Sequence, residues 1–221
     1  YQVLPGEIIR FSATISATHT TYYTLPSGKG IHKETSAEAT ECIGKSLENA
    51  VSNQLVSDVP LGTFLSGGID SPLVNACVSK HKKDIASFTI GSRNSSLDET
   101  ELAHAYALHL GILNYQEYYT AANLREQLDA HFKAFSEPFA DYSSLPTFMV
   151  SKMARNRFTV ILSGDGGDEV FWGYPRFLRY MQHLKWFEKP VLVRKIQSVI
   201  QRRLTGAYIS ETILQPTLGD W

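Results

Sequence analysis

The sequence has little of what marks specialised partners or compartments. Cys42 and Cys77 are the only 2 cysteines among 221 residues. They lack the close spacing of a zinc site or a redox pair and fall in stretches that read as amphipathic helices, so two buried free thiols in a reducing compartment are expected. No apolar run approaches the ~20 residues needed to span a bilayer, and Tyr1-Gln-Val-Leu-Pro-Gly6 lacks the basic and apolar regions of a signal peptide. The expectation is a cytoplasmic protein with no membrane partner. Charge of one sign is missing too: 21 basic against 22 acidic side chains leave a formal charge of -1. No global basic field marks nucleic acid as a partner, so any anion site must be local. The 7 histidines, at 19, 32, 81, 104, 109, 131 and 183, form no i, i+4 pair of the kind that holds a metal on a helix. Internal repeats and low-complexity tracts are absent, which excludes solenoids and disorder.

What is present is enough for one substantial core, with 43% hydrophobic residues. Residues 1 to 30 alternate polar and apolar types, as short strands and turns do. Thr35-Ser-Ala-Glu38 matches a helix capping box, and Ile43, Leu47, Val51 and Leu55 then recur at helical spacing. Leu61 to Leu65 reads as a buried strand, followed by a glycine loop and a helix with Pro72 at its first position. Ile85 to Ile90 and Tyr115 to Tyr119 read as strands, and Glu99 to Leu110 as a helix capped by Gly111. Further helices are expected around Leu124 to Phe135 and over Pro146 to Arg155. Thr159 to Leu162 then reads as a strand entering a second glycine loop. This alternation predicts an α/β fold, a mostly parallel doubly wound sheet with helices on both faces. After Tyr174-Pro175 come basic and aromatic helical stretches, Arg176 to Tyr180, Lys185-Trp-Phe187 and Val191 to Leu204.

The loop Ser66-Gly-Gly-Ile-Asp-Ser71 has the chemistry of a polyphosphate cradle. Adjacent glycines let backbone N–H groups converge on an anion that bulkier side chains would block, and the helix that follows adds its positive end. Ser66 and Ser71 can donate hydroxyl hydrogen bonds, and Asp70 is a hard oxygen ligand for Mg²⁺ carried by a nucleoside triphosphate. The loop has no lysine and its glycines adjoin, so it is not the GxxxxGK[ST] pattern and γ-phosphoryl transfer is not implied. The second loop, Ser163-Gly-Asp-Gly-Gly-Asp-Glu169, places three acidic side chains together, an arrangement that is costly without a cation. Loops at the carboxyl ends of parallel strands can face one crevice.

The first loop resembles the SGGxDS pyrophosphate loop of the adenine-nucleotide α-hydrolase superfamily, whose members cleave ATP between its α and β phosphates. Asp58 to Ser71 followed by Leu162 to Arg176 resembles the synthetase domain of the asparagine synthetase family. Phe88-Thr-Ile-Gly91, the pair Asp98-Glu99 and Ser136 to Asp141 resemble family landmarks in the same order, and Leu4-Pro-Gly6 resembles the connector into this domain. The resemblance implies ATP and Mg²⁺ as cofactors. It implies that Leu65 and Ile90 line the adenine site, that Ser66, Gly67, Gly68, Asp70 and Ser71 hold phosphates and Mg²⁺, and that Ser163 and Gly164 contact the nucleotide. Asp165 takes the place of the acidic residue needed for adenylate formation, and Asp168 joins Asp70 at the metal. The implied reaction is amidation of a carboxylate through an acyl-adenylate, with aspartate as the default substrate.

Several positions depart from the family. Asp165 stands where glutamate is common, Pro72 where a second serine is usual, Trp172 where glycine is common, and Asn114-Tyr-Gln116 lacks a histidine signature. The substrate is therefore open between aspartate and another carboxylate, such as a sugar acid or a β-lactam-type precursor. A non-catalytic nucleotide-binding module is the third alternative. The family takes ammonia from an N-terminal glutaminase domain that opens with cysteine. Tyr1 does not provide one, and no copy of the family's downstream Lys- and Arg-bearing helical segment is found. The expectation is a piece of a longer chain, with 1–33 a connector from a glutaminase domain and 34–221 a C-terminally incomplete synthetase domain. A homodimer is compatible with it.

Overall fold

Thr35 and Glu38 exchange the bonds of the capping box: the Thr35 amide donates to Glu38 Oε2 at 2.8 Å and the Glu38 amide to Thr35 Oγ1 at 3.3 Å. Helix α1, Ser36–Gln54, follows. The computed structural model describes residues 3–13, 17–25, 34–92, 98–135, 141–178, 181 and 189–205. They divide into two compact units, Tyr1–Gly44 and Lys45–Trp221. The first contains an antiparallel hairpin of β1, Glu7–Phe11, and β2, Ala17–Thr21, in which Ile9 pairs with His19. Among the described residues no helix is long and apolar enough to cross a membrane.

In the second unit strands and helices alternate: β3 Leu61–Phe64, α2 Asp70–His81, β4 Ala86–Ser92, α3 Thr100–Leu110, β5 Leu113–Tyr119, α4 Ala121–Ala134, α5 Ser144–Arg155, β6 Val160–Leu162, α6 Gly167–Phe171 and α7 Val191–Thr205. The four strands form one sheet in the order β5-β4-β3-β6, with every pair parallel. The chain thus builds outward from β3 through β4 to β5 and then returns to place β6 on the other side of β3. That reversal creates a switch point between β3 and β6, where open α/β sheets bind ligands beyond the carboxyl ends of their strands. The two glycine loops leave these two strands.

Helices cover both faces of the sheet. Leu47, Val51 and Leu55 from α1 and its end, Val74, Cys77 and Val78 from α2, and Ala103 and Ala107 from α3 pack against Leu61, Leu65 and Val160. On the other face Val150, Met153 and Ala154 of α5 pack against Phe88, Phe64 and Ile161. Phe88 is fully buried and has Tyr115 stacked at 5.4 Å and Phe158 edge-on at 5.4 Å.

Three details differ from the sequence expectation. Helix α2 begins at Asp70, so Pro72 is its third residue and not its first. Proline still fits, because none of the first four amides of a helix has an intrahelical acceptor. Cys77 is buried, and burial pushes its thiol pKa up, but Cys42 is exposed. Helix α4 starts earlier than its apolar residues suggest, because Thr120 and Asn123 form a capping box of their own. Along α4, His131 is buried among the rings of Phe132, Phe135 and Phe148, whereas Phe132 itself is exposed. The landmark residues 136–140 and the stretch Lys185-Trp-Phe187 lie outside the described residues.

A polar ladder runs through the upper part of one face. Asn75 of α2 is fully buried; its amide donates to the carbonyls of Phe64 at 2.9 Å and Ser71 at 2.8 Å, and it accepts from Thr63 Oγ1 at 2.5 Å. It ties the end of β3 to the start of α2 and so sets the span of the loop between them. Asn75→Leu keeps the volume but removes three hydrogen bonds and leaves the buried Thr63 hydroxyl without its acceptor. The expected cost is about 3 kcal/mol, read as a lower midpoint in urea unfolding with an unchanged slope.

Candidate functional site

Register places the two loops side by side. Thr63 of β3 pairs with Leu162 of β6, so Ser66 to Ser71 and Ser163 to Glu169 leave neighbouring strand ends. They pack with almost no space between them. A Cβ on Gly164 would lie 2.6 Å from the Ser71 amide nitrogen, and one on Gly167 would collide with the Asp70 carboxyl. Glycine at 164 and 167 is therefore what lets the second loop close over the start of α2.

Within the first loop, three successive amides are satisfied by side-chain oxygens. Ser66 N–H donates to Ser71 Oγ at 2.8 Å, Gly67 N–H to Glu99 Oε2 at 3.0 Å, and Gly68 N–H to Ser66 Oγ at 3.2 Å. The two serine hydroxyls share a further hydrogen bond at 2.8 Å. The backbone entering the loop is held from below: Leu65 N–H donates to Phe88 O at 3.0 Å, and Thr89 Oγ1 donates to Leu65 O at 2.7 Å. Asn114 reaches Ser87 Oγ and Thr89 Oγ1 at 3.0 and 2.9 Å, and Gln116 links Asn114 Oδ1 to the Thr100 carbonyl at 2.7 and 3.0 Å. The segment that lacks the family's histidine signature is thus part of the half-buried polar support under the loop.

The acidic groups take separate positions. Asp165 Oδ2 accepts from Ser163 Oγ at 2.9 Å. Glu169 accepts from Tyr174 OH at 2.5 Å, and this bond holds the Glu169 carboxyl below its usual range and pushes the phenol up to about 12. Asp70 behaves differently. Burial pushes its pKa up, and the negative charges of Asp168 and Glu169 push it further. Asp70 and Asp168 thus bring like charges near one another.

Trp172, at the end of α6, has φ of 58°, the one non-glycine residue among those described with a left-handed backbone. An L side chain there costs about 1 to 2 kcal/mol. Its ring packs against Phe177 at 5.1 Å, and Arg176 lies over the Tyr174 ring at 4.2 Å.

Of the expected site residues, Ser66, Gly67, Gly68, Asp70 and Ser71 come together with Gly164 and the neighbourhood of Asp168. Leu65 and Ile90 do not meet: Leu65 is in the apolar cluster on one face and Ile90 packs against the cluster on the other. Glu99, Asn75, Thr89 and Asn114 were not among the expected residues. Glu99, Thr89 and Asn114 lay within stretches singled out in the sequence, the pair Asp98-Glu99, Phe88-Thr-Ile-Gly91 and Asn114-Tyr-Gln116, whereas Asn75 carried no signal.

The sequence profile of the asparagine synthase family matches residues 43–216, most of the chain. The chain belongs to the asparagine synthase family. It is 36% identical over 183 residues to a protein assigned as glutamine-hydrolysing asparagine synthetase 2 in Methanocaldococcus jannaschii, covering 81% of this chain and 33% of that one. To the glutamine-hydrolysing asparagine synthetase 1 of Bacillus subtilis it is 34% identical over 141 residues, covering 64% of this chain and 22% of that one. The chain thus spans a third or less of the relatives it matches. Among solved structures, NMN synthetase from Francisella tularensis aligns over 64% of this chain and 59% of that one, at 18% identity and a TM-score of 0.41, too loose a likeness to add to the family match.

Asp70 provides a test of the loop electrostatics. Its folded pKa is raised, so its ionised form is disfavoured by the fold: stability is higher below that pKa and falls as the pH rises through it. Asp70→Asn removes the penalty. The expected result is slightly higher stability at neutral pH, by roughly 0.5 kcal/mol or less after solvent screening, read as a higher thermal midpoint, with the pH dependence flattened above the ordinary carboxylate range. A lower midpoint contradicts the assignment.

Proposed function

We propose that this chain carries the ATP site of a carboxylate-amidating ligase, which cleaves ATP to AMP and pyrophosphate. The observation that carries the proposal is the packing of the two glycine loops at the switch point, with Asp70 set against Gly167 and near Asp168. In this reading Ser66, Gly67, Gly68 and Ser71 hold phosphate oxygens and Ser163 and Gly164 contact the nucleotide; Leu65 and Ile90, whose side chains pack on opposite faces, would border the adenine through their backbone at the carboxyl edge of the sheet. Asp70 and Asp168 are the metal ligands. The donor set of two carboxylates suits Mg²⁺, which is held by one or two carboxylates together with substrate phosphates and waters. When bound, Mg²⁺ neutralises charge that builds on the departing pyrophosphate.

The substrate carboxylate oxygen attacks the α-phosphorus, and the bond to the β-phosphate oxygen breaks. Loop amides and hydroxyls, once they exchange their present partners for phosphate oxygens, would stabilise the leaving group. Ammonia nitrogen then attacks the acyl carbon, the bond to the AMP oxygen breaks, and the nitrogen loses a proton. Asp165, held by Ser163, is the acidic residue assigned to adenylate formation. With aspartate as substrate the intermediate is β-aspartyl-AMP and the product asparagine. Residues 34–221 are assigned to the synthetase domain and 1–33 to a connector from a glutaminase domain that supplies the ammonia, as the names of the glutamine-hydrolysing relatives suggest. The shorter Asp165 and the strained Trp172 favour, as a second reading, an enzyme of this family acting on another carboxylate.

ATP–pyrophosphate exchange in the full-length protein, assayed with aspartate, sugar acids and β-lactam precursors, separates these readings. Exchange with aspartate is expected, and Asp165→Asn should lower it about 100-fold or more. Exchange only with another acid supports the second reading, and ATP binding without exchange for any acid makes the chain a nucleotide-binding module.

A further inference from the structure

Glu99 stands at the entrance to α3, where an acidic residue ordinarily caps the helix. It does not do so: as the N-cap residue it makes no side-chain capping bond. Asp98 does that work, its Oδ1 accepting from the Thr100 amide at 2.9 Å and the Thr100 hydroxyl at 2.7 Å. The Glu99 side chain is free of its own helix and instead reaches the Gly67 amide, 32 positions earlier in the chain. Of the three oxygens that satisfy the amides of Ser66, Gly67 and Gly68, two are neutral hydroxyls from within the loop and one is this distant carboxylate. Its fit is close. A Cβ on Gly67 would lie 2.8 Å from Glu99 Cβ and 3.3 Å from the Glu99 carbonyl oxygen. An anion that takes the Gly67 amide must displace the Glu99 carboxylate from it.

We propose that Glu99 is an anion placeholder, whose carboxylate holds the Gly67 amide and yields it to a phosphate oxygen when a cation complex of a polyphosphate binds. This rests on the assignment of Ser66 to Ser71 as a polyphosphate cradle. A carboxylate and a phosphate make comparable charge-assisted bonds to an amide, so exchanging one for the other gains little. What decides the exchange is like charge: Glu99 and Asp70 flank the same loop, and Asp70 already feels Asp168 and Glu169. A bare polyphosphate meets this field unshielded, whereas its Mg²⁺ complex brings the neutralising charge with it. Glu99 thereby makes the loop selective for the metal complex over free polyphosphate and over stray anions.

Titration calorimetry of pyrophosphate binding, with Mg²⁺ and with a chelator, tests this on wild type, Glu99→Gln and Glu99→Ala. Glutamine keeps an acceptor for the Gly67 amide and removes the charge; alanine removes both. Both variants should bind cation-free pyrophosphate about tenfold tighter than wild type, which narrows the gap between the two conditions. Far-UV circular dichroism establishes that they fold, and the isosteric Glu99→Gln decides the matter if Glu99→Ala does not. Cation-free affinity in Glu99→Gln equal to or weaker than wild type overturns the proposal, as does weaker binding by a folded Glu99→Ala, which makes Glu99 a structural pin. Binding by none of the three proteins even with Mg²⁺ overturns the cradle assignment, and the placeholder with it.

Discussion

The approach of the Asp70 carboxyl to Gly167 constrains everything around the two loops. Asp70 is the first residue of α2, and Gly167 the first of α6, so their contact fixes the starts of two helices against each other. Gly167 admits no side chain without moving a loop. The arrangement also raises an electrostatic cost, because it partly buries a carboxylate beside Asp168 and Glu169. Such a cost is unfavourable for the empty fold and useful to a site that must attract a cation with its anionic ligand.

Support for this contact comes from below the loops. The face that carries Leu61 and Leu65 turns polar toward the carboxyl edge, where Thr63, Asn75, Ser87, Thr89, Asn114 and Gln116 are linked by hydrogen bonds. Thr63, Asn75 and Ser87 are fully buried, and each has a partner. A satisfied polar network of this kind rigidifies the carbonyls it grips, here those of Phe64, Leu65 and Ser71, which frame the first loop. The apolar face opposite, built on Phe88, supplies packing without reaching the loops.

Much of this was legible in the sequence, for identifiable reasons. Alternating strand and helix patterns gave the parallel sheet, and local signals such as Thr35-Ser-Ala-Glu38 and Gly111 placed element ends, because capping is decided within a few residues. The two glycine loops were recognisable as a pair, since glycine is needed where backbone approaches backbone. What was not legible depends on direction. Asp98 and Glu99 are equivalent in sequence, yet one caps α3 and the other crosses to Gly67. The three acids of the second loop read as one cluster, but Ser163 and Tyr174 engage two of them. Pro72 was displaced by two positions because the helix incorporates the end of the loop, and Trp172 was visible as an unusual residue although its left-handed backbone was not.

The central claim is that both loops serve one polyphosphate and one cation. The most direct measurement is an anomalous difference map from crystals of the protein with Mn²⁺ and a non-hydrolysable ATP analogue. The expected result is a single strong peak between the Asp70 and Asp168 carboxylates, with the β and γ phosphates over the Ser66 to Ser71 loop. Mn²⁺ bound elsewhere, or phosphates that touch one loop without the other, contradicts the account.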